Sequence, residues 1–347
     1  MGGGTGLSTV LSGLKAYVGQ DSVLASRRGT PWIDGLAAVV TVTDDGGSSG
    51  RLREEFQILP PGDLRNCMVA LAEDERLMTR LFQYRFESDG DLSGHSFGNI
   101  FLAALTGVTG DFLEAVRLTS EVLAIKGSIF PSTMEDVSLV AELEDGSTRL
   151  GETNIVSARS RVKRLWLSKE NCQPLPDTLD AIKRADLITI GPGSLYTSII
   201  PNLLVQGIVE SLADSPALKV YICNIMTQPG ETDGFSVADH VRVLAEYSRS
   251  LNLDYVVINS APISRKLRQK YLTEGAVQVK LTKRGWPPAN LEIVNGRERV
   301  APGRPKIISG DLLNENDVVR HAPAKLADLL IDILRSRNSV GKSVTLG

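Results

Sequence analysis

The feature that most constrains the fold is a set of short apolar runs, each followed by a loop that opens with glycine, aspartate or asparagine. Four such runs occur, at residues 37–43, 186–190, 219–223 and 255–258. Each is apolar on both faces, which is typical of strands buried in a parallel sheet. Stretches with apolar residues at helical spacing alternate with these runs, at residues 7–17, 63–72, 97–105, 112–125, 237–251 and 324–334. This alternation predicts an α/β fold with a doubly wound, mostly parallel sheet.

One section of the chain breaks the alternation. Residues 137–143 and 148–150 flank the pair Asp145-Gly146, a typical two-residue turn of a β-hairpin. Residues 161–167 offer a further strand. We interpret the section as a β-hairpin insertion in the main domain rather than as a linker.

The domain organisation follows from these patterns. We predict a single α/β domain over residues 1–337, with the insertion at about residues 135–168. Residues 286–305 are rich in proline and glycine and predict a long surface loop. The polar residues 338–347 predict a disordered tail.

Composition and charge exclude several classes of protein. A net charge of −3 and a pI of about 5.8 indicate no basic surface of the kind that nucleic-acid binding requires. The three cysteines, Cys67, Cys172 and Cys223, are too far apart for a zinc site and too few for a disulfide framework. We find neither an apolar stretch long enough to span a membrane nor a signal peptide, which predicts a cytosolic protein.

The first candidate site is residues 2–6, Gly-Gly-Gly-Thr-Gly, directly before a predicted helix. Glycines let the backbone approach a ligand closely, and the N–H groups that open a helix attract anions. This favours a phosphate-facing loop over a purely structural turn. The strict dinucleotide fingerprint fails because its third glycine position holds Leu7, which weakens an NAD-dependent oxidoreductase as an interpretation.

The second candidate site is residues 43–51, Thr-Asp-Asp-Gly-Gly-Ser-Ser-Gly-Arg. At the end of a strand, Asp44 and Asp45 can accept hydrogen bonds from ribose or sugar hydroxyls, or hold a divalent cation. The glycines can wrap an anion, with Arg51 as a donor. A tight loop stabilised by Asx turns is the structural alternative.

The same segment also contains the pattern G-x-S-x-G, with Ser48 at the position of a hydrolase nucleophile. A serine hydrolase also needs a histidine base, and His95, His240 and His321 are the candidates. Their spacing does not select one of them, so the pattern alone supports a hydrolase only weakly.

Two further loops follow predicted strands. Residues 191–198 form a glycine-rich turn with hydroxyl side chains, and residues 224–232 form a polar loop rich in amides. Because the carboxyl ends of parallel strands meet at one edge of a sheet, all four loops are predicted to line one long cleft. Candidates outside the four loops also have structural alternatives, as helix caps or surface ion pairs.

The candidate ligand-binding residues belong to these loops or to helix starts beside them, and no catalytic residue is assigned. They are Gly3, Gly4, Thr5, Gly6, Leu7, Asp44, Asp45, Ser48, Ser49, Arg51, Asn66, His95, Asn99, Gly191, Gly193, Ser194, Thr197, Asn224, Thr227 and Arg320.

Taken in order, these segments closely resemble the gluconeogenesis factor (YvcK-like) family. The resemblance runs from the first residues to about Arg335 and is carried by residues 2–8, 42–53, 61–66, 95–99, 191–198 and 224–232. The ordered set is far more specific than any one loop.

The resemblance implies a fold and a function. The family belongs to a superfamily with the CofD-type 2-phospho-L-lactate transferases, which have a Rossmann-like fold. Its members are cytosolic bacterial proteins linked to cell shape and envelope synthesis during growth on gluconeogenic carbon sources. Some bind UDP-sugars such as UDP-N-acetylglucosamine. The resemblance therefore favours a regulator that binds a UDP-sugar or a related nucleotide over an enzyme. A regulatory protein partner and a homodimer are both compatible with this role.

The resemblance also implies an alternative, a phosphoryl-linked transferase. The transferase branch joins a phospholactate unit to a deazaflavin, using a guanylyl-activated donor and a divalent metal. In that case Asp44 and Asp45 would hold Mg²⁺. That branch usually opens with a Gly-Gly-Val-Gly-Gly-type loop, whereas residues 2–6 here read Gly-Gly-Gly-Thr-Gly, which places the chain with the gluconeogenesis factors.

The chain departs from the family pattern at one point. A short β-branched strand precedes the first glycine loop in the family, whereas here Met1 directly precedes Gly2. A misassigned start codon is one explanation. A chain that begins at Met1 is expected to leave a central position of the sheet empty and the glycine loop without an anchor.

Overall fold

The computed structural model describes residues 1–19, 33–73, 77–87, 89–282, 291–294, 297–300 and 305–340. Its helices are α1 (Gly4–Leu14), α2 (Gly47–Phe56), α3 (Gly62–Leu71), α4 (Leu77–Gln83), α5 (Phe97–Thr109), α6 (Phe112–Val122), α7 (Glu152–Ser157), α8 (Pro176–Arg184), α9 (Ile200–Leu203), α10 (Ile208–Asp214), α11 (Val237–Tyr247), α12 (Arg265–Thr273) and α13 (Pro323–Val340). A 3₁₀ turn over Lys15–Tyr17 follows α1, and a π-helical turn over Leu195–Ile199 precedes α9.

The strands are β1 (Ala37–Val40), β2 (Ser128–Pro131), β3 (Leu139–Leu143), β4 (Thr148–Leu150), β5 (Val162–Leu167), β6 (Leu187–Ile190), β7 (Leu218–Ile222), β8 (Tyr255–Asn259), β9 (Leu291–Val294), β10 (Arg297–Val300), β11 (Lys306–Gly310), β12 (Leu313–Glu315) and β13 (Val319–His321). The four apolar runs of the sequence supply β1, β6, β7 and β8, so these predicted strands are confirmed.

A parallel sheet lies at the centre of the fold. Strands β11, β8, β7 and β6 are neighbours in that order, and β1 pairs in parallel with β2. Met1 and Gly2 lie between these two parts: Gly2 N donates to Val39 O at 3.1 Å, and Gly191 N donates to Met1 O at 3.0 Å. The sheet position expected to be empty is therefore filled by two residues, which anchor the glycine loop to both neighbours.

Helices cover both faces of this sheet, as the apolar character of the strands requires. On β7, Val220 and Ile222 pack into a cluster with Val10 of α1 and Leu330 of α13. Tyr221, which points to the opposite face, belongs to the larger cluster that includes helix α11. The described elements thus form a Rossmann-like, doubly wound α/β fold, as the sequence predicted.

The predicted β insertion is present. Strands β4, β3 and β5 form an antiparallel sheet in that order, with Asp145 and Gly146 in the β3–β4 turn. Leu139, Leu143 and Ile155 are fully buried in the main hydrophobic core. The insertion and the short helix α7 that follows β4 are therefore packed onto the sheet domain rather than standing apart from it.

The structure differs from the sequence prediction near the carboxyl terminus. Within the predicted loop 286–305, β9 and β10 form an antiparallel pair, and residues 286–290, 295–296 and 301–304 lie outside the described residues. Helix α13 continues to Val340, past residue 338 at which the tail was predicted to begin. Residues 341–347 lie outside the described residues. None of the helices in the described part of the chain combines the length and apolar character needed to cross a membrane.

Candidate ligand cleft

A cleft of about 530 Å³ lies at the carboxyl edge of the sheet. The loops that follow Met1–Gly2, β1, β6 and β7 all reach it, so the predicted convergence of these loops is present in the structure. The sequence-predicted residues that line the cleft are Gly3, Gly4, Thr5, Gly6, Asp44, Gly193, Ser194, Asn224, Thr227 and Arg320.

Close packing around the first glycine loop requires the absence of side chains. A Cβ on Gly6 would overlap the backbone carbonyl of Pro192, and a Cβ on Gly3 would overlap the carboxylate of Asp63. Gly4 has a φ of +57°, a left-handed conformation that favours glycine. The loop is therefore wedged between the β6 loop and α3, with its backbone at the cleft surface.

Asn224 joins the β7 loop to the β6 loop. Its side-chain oxygen accepts from Gly193 N at 3.0 Å, and its side-chain nitrogen donates to Gly193 O at 2.7 Å. Gln228 Nε2 donates to Ser194 Oγ at 2.6 Å. Because both polar groups of Gly193 are held by one side chain, the two loops form a single rigid wall of the cleft.

A second wall comes from the carboxyl-terminal hairpin β12–β13, which packs against α12. Tyr271 Oη accepts from Val319 N at 3.0 Å, and Lys270 Nζ donates to Asp317 O at 3.0 Å. This packing brings Arg320 to the cleft. Arg320 is the one arginine or lysine among the described residues that line the cleft, so it is the candidate cation for an anionic ligand.

His321, next to Arg320, also lines the cleft, although sequence reasoning considered it only as a hydrolase base. It is 6% exposed, and burial lowers its pKa to about 4 against a smaller opposing effect of the Cys223 backbone. Its Nε2 has no hydrogen-bond partner within the described part of the chain. The imidazole is therefore neutral at physiological pH and contributes no charge.

Three carboxyl groups line the β1 side of the cleft: Asp44, Asp63 and Glu152. Burial, and then the nearby Asp44 carboxylate, raise the pKa of Asp63 to about 7, although the Gly4 N–H donates to it and opposes the rise. Burial, Asp44 and Asp63 together raise the pKa of Glu152 to about 9. Crowded carboxyls of this kind repel phosphate when ionised and suit hydroxyl groups instead.

Asp45 does not line the cleft, unlike its neighbour Asp44. Its Oδ1 accepts from Thr153 N at 2.9 Å and from Thr153 Oγ1 at 2.8 Å, while Asp44 Oδ1 accepts from Gly46 N at 2.9 Å. The two carboxylates thus point to different neighbours and do not fit a shared magnesium site. Among the residues described, no group of three or more His, Cys, Asp or Glu side chains is arranged to hold a metal ion.

Ser48 and His95 form a pair, but in a position that does not suit a hydrolase. Ser48 Oγ lies 3.0 Å from His95 Nδ1 and accepts from Asn99 Nδ2 at 3.1 Å. Ser48 is 4% exposed and does not line the cleft. It is the second residue of α2, which begins seven positions after β1 ends at Val40, so it does not lie on a sharp turn directly after a strand. The contacts indicate a structural network that joins α2 to α5.

The remaining predicted residues do not line the cleft. Leu7 is in the hydrophobic core, Arg51 donates to Ser93 O at 2.6 Å, and Asn66 Oδ1 accepts from Arg65 at 2.6 Å. Predicted residues outside the lining are Leu7, Asp45, Ser48, Ser49, Arg51, Asn66, His95, Asn99, Gly191 and Thr197. A ligand role for any of the predicted residues stays a prediction.

Sequence reasoning missed Asp63, Glu152 and Tyr271 as lining residues. Asp63 lies in the Gly-Asp-Leu-Arg segment at the start of a predicted helix, and that polar segment was the available signal. Glu152 and Tyr271 carry no local signal, because the insertion and α12 bring them to the cleft only through tertiary packing.

Glycine-rich loops at the carboxyl ends of adjacent parallel strands define the class of Rossmann-like ligand-binding proteins. The family model described as 2-phospho-L-lactate transferase CofD matches residues 1–297. The gluconeogenesis factor of Bacillus subtilis is 45% identical over 334 residues, covering 96% of this chain and 96% of that protein. The gluconeogenesis factor of Listeria innocua is 41% identical over 339 residues, covering 98% and 96%.

A solved structure is also similar to this chain over nearly its whole length. The crystal structure of a Bacillus halodurans protein has a TM-score of 0.83 and 42% sequence identity, covering 95% of this chain and 97% of that chain. The chain therefore belongs to the gluconeogenesis factor family, within the CofD-like 2-phospho-L-lactate transferase superfamily.

Proposed function

We propose that this protein is a cytosolic regulator that binds a UDP-sugar and acts in cell shape and envelope synthesis during gluconeogenic growth. Membership of the gluconeogenesis factor family supports the physiological part of the proposal. The observation that supports the ligand is the cleft, in which two glycine-rich loops lie between a carboxyl-lined side and a side that carries Arg320.

The length of the cleft suits an elongated ligand. Its loops follow β7, β6, the Met1–Gly2 segment and β1, which are successive positions in the sheet. Three strand spacings of ~4.8 Å place the outer loops about 14 Å apart. A nucleotide sugar extends over such a distance, whereas a lone phosphate does not.

The middle of the cleft suits a diphosphate. The first-turn N–H groups of a helix have no partner within the helix. In α1 the Gly4 N–H donates to Asp63, and Gly3 at the N-cap has no side chain to cap the N–H groups of Thr5 and Gly6. Together with the Ser194 hydroxyl they offer backbone and hydroxyl donors at the centre of the cleft. The positive end of the α1 dipole also favours an anion there.

The two sides of the cleft orient the ligand. Asp44 and its neighbouring carboxyls disfavour phosphate and can accept from sugar hydroxyls, so the sugar lies on the β1 side. The nucleoside then lies on the side of α12 and the β12–β13 hairpin, where Arg320 is available to the phosphate nearer the nucleoside.

Isothermal titration calorimetry with UDP-N-acetylglucosamine, UDP-glucose, UDP and GDP tests the proposal. We expect saturable binding of the UDP-sugars, weaker binding of UDP, and no heat with GDP. If none of the UDP compounds gives heat at concentrations up to the millimolar range, the proposed ligand class is wrong.

A phosphoryl-linked transferase is the second candidate, favoured by the match to the CofD family model. Incubation with a deazaflavin and activated phospholactate, with and without magnesium, would then give a product of higher mass. The separate orientations of Asp44 and Asp45 weigh against it, since the expected pair of metal ligands does not face one site. An unchanged mass spectrum would remove this candidate.

A further inference from the structure

We propose that the β insertion supplies a ligand-contacting residue, Glu152, to the cleft and that Asp45 is the positioning residue that holds it there. Glu152 is assigned to the sugar of the ligand rather than to its diphosphate or base. This inference rests on the proposed function, because the ligand class is taken from it.

The docking of the insertion is direct. Asp45, in the loop after β1, uses one carboxylate oxygen to accept from both the backbone and the hydroxyl of Thr153, at 2.9 and 2.8 Å. These residues are 108 positions apart in the chain. Thr153 immediately follows Glu152, so the contact fixes the backbone on that side of it.

The other side of Glu152 is fixed by close packing. Gly151 has a φ of +89°, and a Cβ there would overlap the second carboxylate oxygen of Asp45. One turn further on, Ile155 is fully buried in the core. Asp45 therefore contacts the residues before and after Glu152, and α7 cannot turn without losing core packing.

The surroundings of Glu152 select the kind of group it can contact. The carboxyls of Asp44, Asp63 and Glu231 lie near enough to repel its negative charge, and the Thr197 hydroxyl lies close to its carboxyl group. A phosphate at this point would face several acidic groups. A sugar hydroxyl, which both donates and accepts, matches a carboxyl in either protonation state.

The first test compares ligands on one variant. We expect Glu152→Ala to weaken UDP-N-acetylglucosamine by about tenfold, as expected when a hydrogen bond to a carboxyl is lost, and to leave UDP within about twofold. Glu152→Gln, which keeps the shape and one acceptor, should recover part of the loss. Equal weakening of UDP and the UDP-sugar, or no change with either, would overturn the assignment to the sugar.

The second test is a double-mutant cycle. If Asp45 acts through Glu152, Asp45→Ala should weaken the UDP-sugar, and the double variant should lose no more than Glu152→Ala alone. Asp45→Asn should bind nearly as the wild type, because its amide oxygen still accepts from Thr153. Losses that simply add would show that Asp45 does not act through Glu152.

The insertion offers a matched control for Asp45. In the β3–β4 turn, Asp145 accepts from Ser147 N at 2.8 Å and from Ser147 Oγ at 2.6 Å, the same pair of bonds at a site that does not line the cleft. Asp145→Ala should lower stability slightly and leave both affinities unchanged. A similar loss of affinity in Asp145→Ala would show that the effect of Asp45→Ala comes from general destabilisation.

Hydrogen exchange separates failure of this inference from failure of the proposed function. Asp45→Ala, without any ligand, should speed amide exchange over residues 151–157 relative to the wild type and Asp145→Ala. Unchanged exchange would overturn the positioning role even if the UDP-sugar binds. Wild-type protein that shows no heat with any of the UDP compounds would overturn both the proposed ligand and the role of Glu152.

Discussion

Gly6 packs against the backbone of Pro192 so closely that a single methyl group would overlap the Pro192 carbonyl. The first glycine loop and the β6 loop therefore meet backbone to backbone, and neither flank is a flexible side chain that could move aside. The cleft centre, where we place the diphosphate, depends on this contact.

Gly6→Ala is expected to force the two loops apart. Overpacking of this kind destabilises by about 1–3 kcal/mol, and UDP-N-acetylglucosamine binding should fall by at least tenfold. Thermal unfolding and calorimetric titration measure the two effects. Gly107→Ala in α5 is the control. Beyond its own helix backbone, a Cβ there meets no atom of the described residues within 4 Å, so the substitution should be neutral or slightly stabilising. Wild-type affinity in Gly6→Ala would contradict the packing argument.

Asn224→Asp tests the link between the β6 and β7 loops. The substitution replaces the nitrogen that donates to Gly193 O with a second acceptor, so two oxygens would face each other at the present 2.7 Å. We expect a loss of about 1–3 kcal/mol in stability and weaker binding of UDP and UDP-sugars alike. Denaturant unfolding and calorimetry would show both. Asn171→Asp, at an exposed position, is the control. Equal losses of stability and affinity in the two variants would refute the proposed link between the loops.

Arg320→Ala tests the assignment of the cation to the phosphate. Loss of a charged donor should weaken UDP and UDP-N-acetylglucosamine by a similar factor of about 10–100, in contrast to the sugar-selective effect expected for Glu152. Calorimetry at two salt concentrations should show reduced salt dependence. Arg117→Ala, an exposed arginine that pairs with Glu114 and Glu121 on α6, should change neither affinity. Unaltered binding by Arg320→Ala would place the phosphate elsewhere.

Glu231 gives a prediction on pH. Glu231 is 2% exposed, and its Oε2 has no hydrogen-bond partner in the part of the chain that is described. Burial raises the pKa of the Glu231 carboxyl from 4.5 to about 7. The folded state therefore holds this proton more tightly than the unfolded chain. The resulting stabilisation is present below about pH 4.5 and is lost as the pH rises to about 7.

Glu231→Gln removes this titration. We compare the free energy of unfolding of the variant with that of the wild type. Because the pKa rises from 4.5 to about 7 and each pKa unit corresponds to ~1.4 kcal/mol, the difference should increase in favour of the variant by about 3 kcal/mol between pH 4.5 and 8. Urea unfolding at several pH values measures it. Glu210→Gln, at an exposed position of α10, should show no such trend. A constant difference between Glu231→Gln and wild type across this range would show that the carboxyl does not titrate as described.

The strands and loops that depend on local pattern were predictable from sequence. The apolar runs that form β1, β6, β7 and β8 end where aspartate, glycine or asparagine follows. In a parallel sheet the loops after these strands then lie at the same edge, the carboxyl edge. Strand β11 was missed because residues 306–310 carry a lysine, a serine and a glycine among only two isoleucines. Parallel pairing with β8 makes this segment a strand, although its sequence has no strand pattern.

The composition of the cleft was harder to predict. Asp44 and Asp45 are adjacent and chemically identical, yet one faces the cleft and the other binds Thr153. Only the position of the insertion, packed through Ile155, decides between them. Likewise Arg320 was a candidate by its charge alone, while its place in the cleft follows from the packing of β12–β13 on α12.

The Met1–Gly2 segment pairs with a strand, β6, that is synthesised much later. The Met1 nitrogen donates to Thr189 O, 188 residues away, at 2.8 Å. At about 5–20 residues per second, a ribosome needs about 10–40 s to make that partner. During that interval the Met1–Gly2 segment can pair with a strand on one side at most, so the cleft is completed only after β6 has been made.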